Sequence, residues 1–292
     1  MYDTIIIGAG PSGLTAAIYL LRANKKVLII EKETVGGQIA SSPLVENYPG
    51  FESISGSDLA NNLFNQALNL GLDFEIEEVK ERTKDKKVIT DSNTYEAKSI
   101  IIATGCTPRR LNLPNEEKLI GKGVHFCVSC DGAFYKGKTV AVIGGGNSAI
   151  GNAIALSEIA KKVYVVQNMD KLTCEDTLKE KVNELNNVEI ILSNSVKEYL
   201  YNDKLTGIKL EDGKEIDLDG VFISIGLIPS NETFKDIIDT DSYGYAISND
   251  STTKVEGIFI AGDIREKSIR QLTTATSDGT IAAINAINYL NK

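Results

Sequence analysis

The sequence of 292 residues has little of what marks an exported, membrane-spanning or disulfide-stapled protein. Four cysteines in this length are too few for a disulfide framework. No run approaches the roughly 20 apolar residues that span a bilayer. The N-terminus enters an apolar strand pattern at once, without a basic leader segment. We therefore expect a soluble, cytoplasmic protein without a membrane partner.

Positive charge and histidine are also scarce. The sequence has 31 Lys and Arg against 40 Asp and Glu, and its net charge of −9 argues against binding nucleic acid by neutralising phosphates. The only histidine is His125, and the one Cys-x-x-Cys pair would give zinc just two ligands. We expect neither a nucleic-acid partner nor a metal site.

The composition that remains, 42% hydrophobic and 24% charged residues, is that of a folded protein with room for about two domains. A strand, a glycine-rich turn, a helix and a second strand are predicted at residues 4–7, 8–13, 14–23 and 27–30. The same order recurs at residues 140–143, 144–149, 150–159 and 163–166, where the second glycine turn is residues 144–149. This repeat predicts an α/β fold with two dinucleotide-binding, Rossmann-like domains.

The chain ends with a pattern that favours a return to the first domain. A strand pattern over residues 255–263 is followed by a helical pattern over residues 273–290. Two apolar segments, 100–105 and 221–226, each end in glycine and are followed by proline, so the domain crossings are placed near them. We predict that a domain of residues 115–225 is inserted in one formed by residues 1–114 and 226–292.

The first turn, Gly8-Ala9-Gly10-Pro11-Ser12-Gly13, has the spacing GxGxxG between a strand and a helix. Its first glycine permits the tight turn, its second lets the backbone approach a pyrophosphate, and its third lets the helix pack on the strand. Glu31 ends the second strand, where a carboxylate accepts hydrogen bonds from ribose hydroxyls. The fingerprint fits NAD and FAD equally.

The pair Cys127-Val128-Ser129-Cys130 favours dithiol and disulfide chemistry, because two thiols at this spacing can close a small disulfide. Asp131 follows directly and is placed to exchange a proton with a thiol, or to cap a helix. We predict Cys127, Cys130 and Asp131 as catalytic residues. His125 either tunes the thiolate or is an ordinary loop residue. Cys106 and Cys174 have no partner by spacing and are interpreted as free thiols.

Further segments resemble the FAD-binding elements of the flavoprotein disulfide reductases that contain two dinucleotide folds. They are Gly36-Gly37-Gln38, Glu46-Asn47-Tyr48-Pro49-Gly50, Ala103-Thr104-Gly105, Ala261-Gly262-Asp263 and Arg270-Gln271. The resemblance implies FAD, bound by Gly8, Gly10, Pro11, Ser12, Gly13, Glu31, Gly37, Gln38, Asn47, Ala103, Thr104, Gly105, Gly262, Asp263, Arg270 and Gln271.

With these elements flanking an inserted domain that carries Cys-x-x-Cys-Asp, the chain resembles the low-molecular-weight flavin thioredoxin reductases over nearly its whole length. The resemblance implies that residues 1–114 and 226–292 bind FAD, as in the pyridine nucleotide-disulfide oxidoreductases. It also implies that the flavin reduces the Cys127–Cys130 disulfide, that the dithiol reduces thioredoxin, and that the protein is a homodimer. Which cysteine attacks thioredoxin is left open.

The second glycine turn departs from the NADPH-dependent members, which carry arginines at the end of the following strand. Here that place has Gln167-Asn168-Met169, and no arginine occurs between Arg110 and Arg265. The inserted domain therefore has no arginine that could bind the 2′-phosphate of NADPH through two parallel hydrogen bonds. Gln167 also stands where NADH binding would favour an acid. We interpret residues 115–225 as a degenerate NAD(P)-type fold.

A flavin can accept electrons singly and deliver them in a pair, so a one-electron donor can replace a hydride donor. The chain most resembles the ferredoxin-dependent flavin thioredoxin reductases, which implies reduced ferredoxin as the electron donor. Two alternatives stay open: a reductase that uses NADPH or NADH, held by Lys171, Asn168 or backbone groups, and a flavin redox sensor without turnover. An acidic ferredoxin would need a basic patch, for which Arg109, Arg110, Lys118 and Lys122 are candidates.

Overall fold

The structure, a computed structural model, describes residues 1–42, 45–83 and 86–292. These residues divide into two compact units. Unit one comprises Met1–Thr107 and Ile228–Lys292, and unit two comprises Pro108–Leu227. The sequence placed the divisions at 114/115 and 225/226, whereas the units divide at 107/108 and 227/228. The chain passes from unit one to unit two at the first of these divisions and returns at the second.

The strands are β1 Tyr2–Ile7, β2 Val27–Glu31, β3 Asp73–Ile76, β4 Val79–Arg82, β5 Lys87–Thr90, β6 Thr94–Ile102, β7 Cys106–Pro108, β8 Val124–His125, β9 Thr139–Ile143, β10 Lys162–Val166, β11 Val188–Ile191, β12 Val196–Tyr201, β13 Leu205–Leu210, β14 Glu215–Asp217, β15 Gly220–Ile223, β16 Leu227–Pro229, β17 Asp239–Thr240, β18 Ala246–Ile247 and β19 Ile258–Ile260. The helices are α1 Pro11–Arg22, α2 Gly56–Asn69, α3 Glu116–Leu119, α4 Val128–Asp131, α5 Asn147–Ser157, α6 Asp176–Asn183 and α7 Leu272–Leu290. Short 3-10 turns lie at Gly37–Ser41, Gly132–Tyr135 and Glu232–Phe234.

Unit one is built on a sheet whose parallel strands run in the order β3, β2, β1, β6 and β19, with β5 and β4 added antiparallel beyond β6. The central strands are apolar on both faces because both faces are covered. On one face α1 and α7 pack against Ile6 and Ile101. On the other, Phe234 and Ile237 pack against Ile5 and its neighbours.

Unit two repeats the plan with a parallel sheet in the order β11, β10, β9, β15 and β8. Helices α5 and α6 cover one face, and the antiparallel strands β12, β13 and β14 cover the other. The turns correspond closely: Gly8 N donates to Ile30 O at 2.8 Å, and Gly144 N donates to Val166 O at 2.9 Å. The predicted fold class, α/β with two Rossmann-like folds, is confirmed.

The helices and strands differ from the predicted ones mainly at their ends. Helix α1 begins at Pro11 instead of residue 14, because Gly10 is its N-cap and proline suits the first helical position. Helix α5 likewise begins at Asn147 instead of residue 150. The strand predicted over residues 255–263 shrinks to β19, since a turn from Val255 to Ile258 precedes it. Within the described ranges, no helix is both long and apolar enough to cross a membrane.

Candidate active site and dinucleotide turns

The cysteine pair of unit two is a disulfide. Cys127 and Cys130 are bonded, with their Cα atoms 5.3 Å apart. Cys127 stands directly before the one-turn helix α4, and the peptide N–H of Asp131 donates to its carbonyl at 3.0 Å. The sulfur of Cys127 lies 3.3 Å from the hydroxyl of Ser129. The helical turn therefore brings the two sulfurs together, as the spacing requires.

Asp131 is held by a buried polar chain and not by a helix cap. Its Oδ2 lies 2.9 Å from Nδ1 of His125, and Nε2 of the same imidazole lies 2.6 Å from the hydroxyl of Tyr135. The His125 and Asp131 side chains are only 10% and 15% exposed. Asp131 stands at the N-terminus of the following 3-10 turn, but its side chain makes no capping bond there. The interpretation of Asp131 as a cap is therefore wrong.

The hydroxyl of Tyr135 is the last member of this series of hydrogen-bonded side chains, which runs from Asp131 through His125. Burial, with the negative charges of Asp131 and Asp219 adding to it, raises the pKa of the Tyr135 phenol to about 12. Tyr135 is thus a neutral hydroxyl at physiological pH. Sequence reasoning missed it, although its spacing of four residues after Asp131 is one that places two side chains on one face of a helical segment.

The first glycine turn, in unit one, leaves the space that a pyrophosphate needs. A Cβ on Gly10 would find no atom outside the turn within 4 Å, and Gly37 lies against the Cα of Gly10. The buried hydroxyl of Ser12 has no hydrogen-bond partner among the described residues. Glu31 accepts from the Ala9 N–H at 2.7 Å, so its carboxylate stands beside the turn. An open cradle with an unsatisfied buried hydroxyl fits a dinucleotide phosphate.

The other residues predicted to bind FAD lie in the same unit and contact one another or their neighbours. Gly8 lies against the Ala103 carbonyl, and Gly262 lies against Ser12. Gln38 Nε2 donates to Cys106 O at 2.7 Å, and Asn47 Nδ2 donates to Gln271 Oε1 at 3.5 Å. Thr104 Oγ1 donates to Ser230 O at 2.6 Å, and Arg270 Nε donates to Asp263 O at 3.4 Å. Pro11 and Gly13 belong to the first turn of α1, and Gly105 joins β6 to β7. FAD binding by this set stays a prediction.

A buried acid that the sequence analysis missed supports this region. Asp278 of α7 is 7% exposed and accepts from the Gly262 N–H at 3.2 Å. It also pairs with Arg265 at 2.6 Å and with Lys267 at 3.1 Å, while Lys267 reaches Asp263 at 2.9 Å. The sequence feature that could have indicated Asp278 is an acidic residue among the small and apolar residues of the last helix.

The remaining cysteines are buried free thiols. Cys106 donates to the Asp263 carbonyl at 2.8 Å, and burial raises the pKa of its thiol to about 12. A thiol with that pKa stays protonated and a poor nucleophile. In the described part of the chain, no three His, Cys, Asp or Glu side chains are grouped to hold a metal ion.

The second glycine turn is filled where the first is open. A Cβ on Gly145 would lie 2.6 Å from the amide carbon and nitrogen of Gln167, whose side chain is buried against the turn. Thr173 N donates to the Gly145 carbonyl at 2.8 Å. Asn147 and Glu175 exchange hydrogen bonds of 3.1 and 2.8 Å at the start of α5. The Gln167 side chain therefore occupies the space beside Gly145, whereas the space beside Gly10 of the first turn is open.

Comparison with known proteins gives matches along the whole chain. The family described as pyridine nucleotide-disulphide oxidoreductase matches residues 2–279. A thioredoxin reductase of Bacillus subtilis is 44% identical, over 100% of this chain and 96% of that protein. A 34.2 kDa protein in the rubredoxin operon of Clostridium pasteurianum is 43% identical, over 99% of this chain and 97% of the relative.

A solved structure supports the same relation. The thioredoxin reductase of Streptococcus pyogenes superposes with a TM-score of 0.88 and 40% identity, covering 100% of this chain and 98% of its own. From these matches, the chain belongs to the pyridine nucleotide-disulphide oxidoreductase family and, within it, to the low-molecular-weight thioredoxin reductases.

Proposed function

We propose that the protein is an FAD-dependent thioredoxin-disulfide reductase. The observation that carries this proposal is the Cys127–Cys130 disulfide, followed directly by a carboxylate in a buried polar chain. The relatives named thioredoxin reductase support thioredoxin as the electron acceptor. Assembly as a homodimer stays a prediction from the family resemblance.

FAD would be held at the open glycine turn, by Gly10 and the N-terminus of α1, with Ser12 and Glu31 as polar partners. Bound FAD supplies the electron pair that opens the disulfide. The chain contributes the positions of these groups and the acid that handles protons. Asp278 keeps the Gly262 backbone in place.

The thiols then act by exchange. One thiolate of the reduced pair attacks the thioredoxin disulfide and forms a mixed disulfide, releasing one thioredoxin thiolate. The other thiol loses its proton and attacks the first sulfur, which re-forms Cys127–Cys130 and releases the second thiolate. We assign to Asp131 the role of accepting and returning the proton in these steps.

For the electron donor, we propose reduced ferredoxin. The filled space at Gly145 and the arginine-free stretch from residue 111 to residue 264 support a donor other than a pyridine nucleotide. The family match and the closely similar relatives favour the alternative, a reductase that uses NADPH or NADH. Of the basic residues proposed for docking, Arg110 is paired with Glu117.

The cysteine assignment is tested by the variant Cys130→Ser in the FAD-loaded protein. We expect it to lose thioredoxin reduction entirely, because a single thiol cannot release the mixed disulfide by intramolecular attack. Cys174→Ala is the matched control, since it removes a buried free thiol from the same unit. Activity retained by Cys130→Ser, with Cys174→Ala unaffected, would refute the proposal.

A further inference from the structure

His125 occupies a closed polar position that the exchange steps do not yet use. Its two ring nitrogens contact Asp131 and Tyr135, and its face stacks on Phe222 of β15, with ring centroids 5.3 Å apart and planes at 27°. The charged groups near this cluster are Lys138, whose ammonium lies 5.2 Å from the centre of the Tyr135 ring, and Asp219, which acts on Tyr135. The imidazole is therefore fixed at both nitrogens and on one face.

These contacts decide which ring nitrogen carries the hydrogen. Tyr135 is a neutral hydroxyl, so it can donate to Nε2, and Nδ1 then carries the hydrogen that is donated to Asp131. In this arrangement the Asp131 side chain accepts from Nδ1, and both ring nitrogens have a partner. A proton added to the pair enters at Nε2, and the resulting imidazolium donates at both ends. The Asp131, His125 and Tyr135 side chains can thus hold one extra proton if the Tyr135 hydroxyl rotates from donor to acceptor.

We propose that His125 is the positioning residue for proton transfer at the cysteine pair: its Nδ1–H holds the Asp131 carboxylate, and its Nε2 gives the pair a second site at which a proton can be held. The proposal rests on the proposed function and deepens it. The only histidine of the chain is then placed six residues before the carboxylate that it serves.

The proton balance of the exchange reaction fits this role. The dithiol loses two electrons as the Cys127–Cys130 bond forms, and the substrate disulfide gains them as its S–S bond breaks. The proton that leaves the second thiol passes to the Asp131 and His125 pair. The pair returns it to the departing substrate thiolate, so no co-reactant is needed.

The rate of this exchange is the first test. The protein is reduced with dithiothreitol, desalted without oxygen, and mixed in single-turnover experiments with oxidised thioredoxin or with 5,5′-dithiobis(2-nitrobenzoic acid) between pH 5 and 9. His125→Asn keeps an amide N–H for Asp131 but cannot take up a proton. Because general acid–base catalysis contributes roughly 10²- to 10⁴-fold, we expect its rate at pH 7 to fall by at least about tenfold.

The pH profile separates proton transfer from mere packing. If His125 takes up a proton, the wild-type profile should contain an inflection that the His125→Asn profile lacks. Tyr199→Phe is the control for Tyr135→Phe, because Tyr199 is also buried in unit two and bonds a carboxylate, that of Glu116, at 3.1 Å. We expect Tyr135→Phe to slow exchange and Tyr199→Phe to leave its rate and profile unchanged.

The outcomes are distinguishable. If wild-type dithiol reduces the small disulfide but not thioredoxin, the proposed function fails, and His125 is still judged on the small disulfide. If His125→Asn keeps the wild-type rate within twofold and the same profile, the role of His125 is refuted while the function stands.

A second readout needs no activity. The chain has one histidine, so in ¹⁵N-labelled protein without a histidine tag the ring nitrogens give a single, self-assigned pattern. In the oxidised protein at pH 8 we expect hydrogen on Nδ1 and none on Nε2. Hydrogen on Nε2 would overturn the proposal, because Nδ1 could not then donate to Asp131.

Discussion

Gly10 and Gly145 lie in the glycine turns of the two repeats, but the space beside them differs. Space is open beside Gly10, whereas the side chain of Gln167 lies beside Gly145. A glycine in this position serves a ligand only if the space that a Cβ would occupy stays free for the phosphate. In this structure the space is free beside Gly10 at the first turn and is occupied by the Gln167 side chain beside Gly145 at the second.

The variant Gly10→Ala tests this view of the first turn. The backbone of Gly10 is extended, with φ −73° and ψ 177°, so alanine fits the fold. The added methyl group would nevertheless stand where the pyrophosphate approaches. We expect FAD affinity to fall by at least about tenfold, roughly 1.4 kcal/mol, with unchanged thermal unfolding of the apoprotein.

Gly151→Ala makes the same chemical change inside α5, where a Cβ also meets no atom outside the helix within 4 Å. It should leave FAD affinity unchanged and gain about 0.5–1 kcal/mol of stability from helix propensity. Fluorescence titration of the apoproteins with FAD measures the affinities. Equal affinities for Gly10→Ala and wild type would place the cofactor elsewhere.

At the residue scale, the sequence predicted groups whose function depends on spacing and missed those that depend on a long-range contact. Cys127, Cys130 and Asp131 are neighbours in the chain, so their proximity follows from one helical turn. Asp278 reaches Gly262 only because α7 packs beside the preceding turn. The side chain of Gln167 could have pointed to solvent, and its position against Gly145 follows from packing that no short motif encodes.

At the scale of single elements, a buried carboxylate ties β3 to the antiparallel extension of the first sheet. Glu77 follows β3 and accepts from Thr90 at 2.5 Å, from Asn93 at 2.6 Å and from Tyr95 at 3.0 Å. Burial raises the pKa of the Glu77 carboxyl, but these hydrogen bonds outweigh burial and leave it below the usual 4.5. Burial and the Glu77 charge in turn raise the pKa of Tyr95 to about 12.

This arrangement predicts a pH-dependent contribution of Glu77 to stability. Because its pKa is lowered in the folded state, the contribution is complete above about pH 4.5 and is lost as the pH falls through the folded value. Glu77→Gln should lose about 1 to 3 kcal/mol at pH 7 and much less near pH 3. Urea unfolding at both pH values measures this difference. A Glu77→Gln deficit that is the same at pH 3 and pH 7 would contradict the assignment.

The control is Glu75→Gln, which changes an exposed carboxyl of β3 two residues away. It should show no comparable pH-dependent loss.

Secondary-structure elements, like residues, were predictable where the signal is a local pattern and not where it depends on distant contacts or on details of caps and turns. The central β1 and the long α7 follow from continuous apolar or periodic patterns, whereas the ends of α1 and the shortness of β19 depend on caps and turns. The antiparallel strands β4 and β5 carry too weak a pattern to have been predicted.

At the scale of the whole molecule, the chain repeats one architecture twice, and the two copies differ at their glycine turns. The first retains an open phosphate cradle, and the second retains the sheet and the turn but fills the cradle. A net charge of −9 means that an acidic one-electron donor would meet overall repulsion, so docking must rely on local basic residues. Family membership follows from the whole chain, whereas the proposed donor rests on a few side chains around one turn.

The most direct test of the account is an anaerobic titration of the oxidised, FAD-loaded protein with NADPH, NADH and reduced ferredoxin in parallel, following the flavin absorbance and then the reduction of added thioredoxin. We expect ferredoxin to bleach the flavin and support thioredoxin reduction, and both nucleotides to leave the flavin oxidised because Gln167 fills their site. Rapid bleaching by NADPH or NADH, with thioredoxin reduced at the same rate, would contradict the account and establish the pyridine-nucleotide alternative.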